Sequence, residues 1–196
     1  QLTEVETVSN PMELLNDFYK SFDSQNPDVL QKRKERQDLR ERFLARFPKD
    51  SIKKITLEDY CIGKGERDNF CWWVERGLQT LGYYFPGSSR SYRIYWSKSD
   101  DQYCKNGPLK DIEDDDEAMK VVADYLDKII VNEDYKTGIG FFGPSFILKL
   151  LNTYYPEKYA PVNAVSYIKN ALPLFGIEEE NFDFVDALTN DQGTSL

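Results

Sequence analysis

Apolar positions recur along this chain mostly at the three-to-four-residue spacing of helices, with one short stretch at the two-residue spacing of a strand. From Pro11 to Phe22, residues Leu15, Phe18, Tyr19 and Phe22 share one face, which predicts a short amphipathic helix. Pro27 opens a second helix over Asp28–Phe47, with Leu39, Phe43, Leu44 and Phe47 as its apolar stripe, and Pro48 ends it. Asp68 is placed to cap a helix over Asn69–Leu81 that Gly82 closes. At 100° per residue its Phe70, Val74, Leu78 and Leu81 form one face, flanked by Cys71 and Trp73, with Gly77 in the same arc. Trp72 points away from that face, beside Glu75, Arg76 and Gln79. The period then changes: Tyr92, Ile94 and Trp96 alternate with Arg93, Tyr95 and Ser97, predicting a strand over Arg90–Ser97 with Tyr83–Phe85 as hairpin partner.

Helical spacing returns at Asp115–Val131 through Ala118, Val122, Tyr125, Leu126 and Ile129. Asp114 and Glu117 have capping-box spacing. A further helix starts at Gly143-Pro144-Ser145, carries Phe146, Ile147, Leu150, Leu151 and Tyr154, and stops at Tyr155-Pro156. Asn163 is placed to cap a last segment, which Pro173 kinks or ends. The expected fold class is α+β, a mainly helical domain with a small antiparallel sheet. The expected organisation is an N-terminal helical segment (1–50), a recognition domain (51–177) and an acidic C-terminal segment or linker (178–196).

Composition narrows the chemistry. The chain has no His, which excludes a Ser-His-Asp triad, a Cys-His dyad and a Cys/His zinc site. Three Cys with no CxxC pair fit free thiols in a reducing, cytoplasmic setting better than a disulfide framework. No cofactor is expected. Net charge is −9, which counts against general nucleic-acid affinity. The charge is uneven, however: Lys32–Lys54 holds ten Lys or Arg against four acids, and Pro86–Lys98 holds Arg90, Arg93 and Lys98 and no acid. The bland reading of the first excess is a solvated helix face. Asp111–Glu117 is explained by helix capping before metal binding, and Asp134-Tyr135-Lys136 has the D-x-K spacing of metal nucleases without a partner acid.

The densest chemistry lies in Thr56–Trp96, where basic residues interleave with aromatics. Such a pattern offers cations for phosphates and flat faces for bases. The expected nucleic-acid contacts are Arg90, Arg93 and Lys98 for phosphate, Tyr95 and Trp72 for stacking, Lys64 in its Gly63-Lys64-Gly65 turn, and Tyr92 on the strand. That turn is not a GxxxxGK[ST] phosphate loop.

Two segments resemble a known family. The first is D-Y-C-I-G-K-G-E-R-D-N-F-C-W-W-V-E-R-G-L-Q-T-L-G (Asp59–Gly82), followed by Gly87-Ser88-Ser89 and Ile94-Tyr95-Trp96. The second is I-L-K-L-L-N-T-Y-Y-P-E-K-Y-A-P-V-N (Ile147–Asn163), followed by Leu174-Phe175-Gly176-Ile177. Together they resemble the N-terminal region of bacterial McrB-type restriction proteins, AAA+ GTPases that partner a nuclease subunit. The resemblance implies a non-catalytic module that recognises DNA, in some cases modified DNA, with the GTPase motor and the nuclease elsewhere. Where relatives often read K-F-G-I-Y, this chain has Tyr92-Arg93-Ile94-Tyr95, and it carries no Walker A motif. The alternative is a protein-interaction module docking a nuclease or neighbouring subunit, with Trp72 as anchor. A weaker third reading is a metal nuclease using Asp134, Lys136 and Asp114–Glu117.

Overall fold

The computed structural model describes residues 10–65 and 67–178. It begins with α1 (Pro11–Ser21) and α2 (Pro27–Arg46). Each starts on an Asn cap followed by Pro: Asn10 Oδ1 accepts from the Met12 N–H and Asn26 Oδ1 from the Asp28 N–H, both at 2.9 Å. Proline's fixed φ and missing N–H suit a first helical position. A 3₁₀ helix at Lys49–Lys54 leads to α3 (Leu57–Tyr60) and α4 (Phe70–Trp72). The chain then forms a two-stranded antiparallel hairpin, β1 (Ile94–Ser97) and β2 (Gln102–Lys105), with Ile94 opposite Lys105 and Ser97 opposite Gln102. Four helices follow: α5 (Asp115–Ile130), α6 (Tyr135–Ile139), α7 (Pro144–Tyr154) and α8 (Val165–Ala171), the last continuing as a 3₁₀ turn over Leu172–Phe175. The fold is therefore mainly helical α+β, as the periodicities predict. Among the described residues no helix is long and apolar enough to cross a membrane.

The core is organised around α7. Phe146, Ile147, Leu150 and Leu151 are buried, and so are the polar Lys149, Asn152 and Thr153. One side meets α5 through Val122, Leu126 and Ile129; the other meets an aromatic cluster. In that cluster Phe43 of α2 lies 5.7 Å from Phe70 and 5.7 Å from Tyr154 between ring centroids. The Tyr154 hydroxyl donates to the Phe47 carbonyl at 2.8 Å. Phe43 and Phe47 are thus core residues of the same body as α7, so the expected boundary at residue 50 falls beside core contacts. The 178–196 segment lies outside the described residues except for residue 178.

The expected helix over Asn69–Leu81 is broken into three pitches. After α4 the backbone widens to a π turn at Trp73–Gly77, where the Leu78 N–H reaches the Trp73 carbonyl at 2.8 Å, and then tightens to a 3₁₀ turn at Gln79–Leu81. Gly77 is required here: a Cβ would meet the Trp73 ring at 2.6 Å and the Trp72 ring at 3.1 Å. The residues crowding Gly77 therefore belong to its own helix. The cap is Asn69, whose Oδ1 accepts from the Trp72 N–H at 2.9 Å, and not Asp68. Asp68 instead accepts from the Trp73 indole at 2.8 Å and from Arg46 Nε at 3.0 Å, which hold its carboxyl below the usual range.

The strand is shorter than expected and pairs elsewhere. Ser89–Tyr92 is a 3₁₀ turn, and Arg93 sits at φ 70°, a region L side chains rarely adopt. A strand cannot run back through that residue, so β1 starts at Ile94. Its partner is β2, and Tyr83–Phe85 is irregular chain tied down by side chains: Gln79 Nε2 donates to the Tyr84 carbonyl at 2.9 Å and Asn163 Nδ2 to the Tyr83 carbonyl at 2.8 Å. Asn163 accordingly does not cap α8; Ala164 occupies that position.

Candidate functional site

The Gly63-Lys64-Gly65 turn rides on β1. The Ile62 carbonyl accepts from the Trp96 N–H at 3.2 Å, and Gly63 lies so close that a Cβ would stand 2.6 Å from the Trp96 carbonyl oxygen. Gly63 also has φ 108°, which glycine alone adopts without strain. This docking carries Lys64 Nζ to 4.3 Å from the Trp96 ring centroid and 4.9 Å from that of Tyr103. Trp96 and Tyr103 face each other edge-on at 4.9 Å, so two strands and a loop present one cation over two rings.

The same loop forms one wall of a cleft of about 440 Å³. Gly63, Gly65 and Arg67 come from the loop, Trp72 and Arg76 from the broken helix, and Lys98 from the end of β1. Among the described residues no carboxylate lines it. Trp72 is half-buried, packed edge-on against Trp73 at 5.6 Å, and keeps part of its ring open to the cleft. Arg76 is partly neutralised by Glu75 Oε1 at 3.2 Å. Arg67 and Lys98 are exposed. On its other side, the loop borders a smaller hollow that contains Glu58, Asp59 and Asp68 beside Arg46 and Lys64. Arg46 bridges Asp59 at 2.5 Å and Asp68 at 3.0 Å, so those acids are held on the far side of the loop.

The predicted contacts do not all meet. Trp72 and Lys98 come together in the cleft, and Lys64 stands on the neighbouring rings. Arg90 and Arg93 line a different hollow with Phe85, Asn106 and the start of α7. Within it the Arg93 guanidinium turns inward, donating from Nε to the Phe141 carbonyl and lying 5.7 Å from the Phe141 ring; burial lowers its pKa. Tyr95 is half-buried on β1. Tyr92 leaves the set of surface contacts. It is 0% exposed, its hydroxyl donates to Glu75 Oε2 at 3.1 Å, and its ring meets Phe146. Tyr92 enters the core from the turn before β1, as Ile94, its partner in the alternation, does from the strand.

Asp114 caps α5 as its spacing predicts, and Asp134, read with Lys136 as a D-x-K pair, caps α6. Asp114 Oδ1 accepts from the Glu117 N–H at 2.8 Å, and Asp134 Oδ1 from the Thr137 N–H at 3.0 Å. Among the described residues no group of three His, Cys, Asp or Glu side chains is placed to hold a metal. Cys61 and Cys71 are buried free thiols, with burial pushing both pKa values up, and Cys104 is a half-buried free thiol.

Sequence reasoning missed Arg67 and Arg76 as lining residues. Arg76 was visible as the polar neighbour of Trp72, but Arg67 precedes the helix and enters the cleft only because Asn69, two residues later, starts the turn. No family of proteins, curated protein or solved structure matches the chain.

Proposed function

We propose that this chain is a DNA-recognition module of a McrB-type restriction system, acting in the cytoplasm and non-catalytic by itself. Its motor and nuclease would be supplied elsewhere. The observation that carries the reading is the convergence of Trp72 and Lys98, distant in sequence, with Arg67 and Arg76 in one cleft that no described carboxylate lines. An aromatic face among cations is the arrangement that stacks a base while holding its phosphates. The resemblance of Asp59–Gly82 and Ile147–Asn163 to the N-terminal region of that family supports the same assignment.

With a net charge of −9, attraction rests on local basic patches such as this one, and affinity falls with salt. The three cations of this cleft contribute about −2 to −3 to the slope of log K against log[salt]. The test is fluorescence anisotropy of a labelled random duplex and of a single strand, titrated at low salt. Trp72→Ala with Lys98→Ala is expected to weaken binding about 10- to 100-fold. Unchanged affinity in that double variant, with its fold intact, rejects the site.

A second reading, a docking module for a nuclease or neighbouring subunit, is favoured by one surface. Phe18 and Tyr19 of α1 are 54% and 68% exposed, and Leu174 and Phe175 near the described C-terminal end are also exposed. Isolated exposed apolar residues are ordinary, but a group of them marks contact surfaces. Absence of any DNA shift, together with self-association on gel filtration that Phe18→Ser abolishes, would favour this reading.

A further inference from the structure

A second basic cleft, beyond the one at Trp72, lies between α2 and the Gln79–Leu81 turn. It encloses about 690 Å³ and is lined by Arg33, Arg36 and Arg40 on one side and by Gln79, Gly82 and Pro161 on the other. Among the described residues no carboxylate lines it. It adjoins a hollow of about 580 Å³ that shares Arg36 and Thr80 and continues toward Lys32 and Arg42, with Glu35 and Asp38 at that end.

Three observations give this cleft a chemistry. The arginines fall within an arc of about 60° and spread along about 10 Å of helix, as positions i, i+3 and i+7 do. The neighbouring acids of α2 are engaged by other partners: Gln31 Nε2 donates to Glu35 at 2.8 Å and Gln37 Nε2 to Glu41 at 2.7 Å. Among the described residues, none of the three arginines forms an ion pair. Finally, Arg40 Nε is buried without a hydrogen-bond partner, and so is Gln79 Oε1 across the cleft. Native proteins leave few such atoms unpaired, because each forfeits its hydration.

The electrostatics behind the cleft point the same way. Desolvation lowers the pKa of Arg40, against the opposing pull of Glu157. The Lys149 ammonium is buried nearby, donating to the Leu78 carbonyl at 2.7 Å and the Gly82 carbonyl at 2.6 Å, and it repels Arg40. An anion in the cleft would satisfy the free Arg40 N–H and offset that repulsion. Guanidinium groups match tetrahedral oxyanions with forked, charge-assisted hydrogen bonds.

We propose that this cleft binds phosphate oxyanions, with Arg40 donating through its free Nε–H and Arg33 and Arg36 holding further oxygens. The phosphate is that of a nucleic-acid backbone or a free anion, and the experiment separates the two. The Arg Nε–Hε resonances of the ¹⁵N-labelled chain are followed while inorganic phosphate, pyrophosphate or a short random duplex is added. The expected result is a saturable shift of the Arg40 resonance. Arg33→Gln with Arg36→Gln, both at exposed positions of α2, should weaken that binding at least about fivefold and, for the duplex, reduce the salt slope by about 2. A shift with phosphate or pyrophosphate alone assigns a free-anion site; a shift with duplex assigns a backbone site. No Arg40 shift with any of the three overturns the proposal. Binding of all three probes that survives Arg33→Gln/Arg36→Gln also overturns it; duplex binding then lost only in Trp72→Ala/Lys98→Ala leaves the proposed DNA function standing.

Discussion

The two basic clefts flank the same broken helix and differ in kind. The one at its start combines a half-buried indole, a glycine loop and exposed cations. The one at its end has no aromatic ring; three guanidinium groups sit on one helix face, one of them with a buried, unpartnered nitrogen. Rings can distinguish or hold bases, whereas a row of cations holds phosphates without reading them. The difference teaches that a single segment, Asn69–Gly82, can serve two surfaces because its pitch changes along the way. The α-helical start presents Trp72, and the 3₁₀ end presents Gln79 and releases carbonyls that Lys149 satisfies.

The comparison can be broken most strongly at the joint between the clefts. Phe43 is 0% exposed and connects α2 to Phe70, Trp73 and Tyr154. Phe43→Ala should destabilise the chain by about 3–5 kcal/mol, measured by urea denaturation, and weaken both clefts together. Gly77→Ala acts on one side only. Its Cβ would displace the rings of Trp72 and Trp73, destabilising by about 1–3 kcal/mol and reducing binding at the first cleft while the Arg40 resonance keeps its response.

Lys149 provides a pH signature for the second cleft's support. Burial, aided by Arg40, lowers its pKa from 10.5 to about 7. Between these values the unfolded chain binds the proton that the folded chain lacks, so stability rises with pH from about 7 upward, by at most about 1.4 kcal/mol per pH unit. The buried thiols of Cys61 and Cys71 act in the opposite sense. Their folded pKa values are raised, so the unfolded state releases protons first and stability falls as pH passes their ordinary value of 9.0. Stability should therefore peak between about pH 8 and 9. In Lys149→Met the rise above pH 7 should vanish and the fall above pH 9 should remain. Denaturation midpoints measured from pH 6 to 10 check both limbs.

The smallest effect is expected at Arg40. Its guanidinium is part-buried without a carboxylate in contact, so Arg40→Gln should change stability by less than about 1 kcal/mol, and a gain is an acceptable result. A thermal melt of that variant beside its phosphate titration sharpens the contrast: a residue of little value to the fold and of large value to an anion.

Much of the architecture was legible from residue order. The stripes on α2, α5 and α7 mark real buried faces, and Asp114 caps α5 as its spacing indicates. The candidate site was partly legible: Trp72, Lys64 and Lys98 stand out by residue type, and two of them meet in one cleft. Tyr92 was assigned to the surface although the alternation itself groups it with Ile94, and both are buried; the positive φ at Arg93, which ends the strand, leaves no signal in the alternation. The partner strand Gln102–Lys105 was missed because four residues with one aromatic carry almost no periodic signal; its pairing is made by backbone bonds to β1. Arg33 and Arg36 of α2 are exposed, as the solvated-face reading has it; the residue order does not show that they line a cleft with Gln79 and Pro161.

By itself, the sequence determined the long helices α2, α5 and α7, the Asp114 cap, the absence of histidine chemistry and the acidic balance, because these follow from local spacing and composition. Only the tertiary structure decided the docking of the Gly63 turn on β1, the pairing of β1 with β2 and the burial of Lys149 against the Leu78 and Gly82 carbonyls. Each depends on which distant group fills a neighbouring space: the Trp96 carbonyl under Gly63, the Lys149 ammonium under Gly82. Close packing and the demand that buried polar atoms find partners make those choices, and both operate between residues that the linear order keeps far apart.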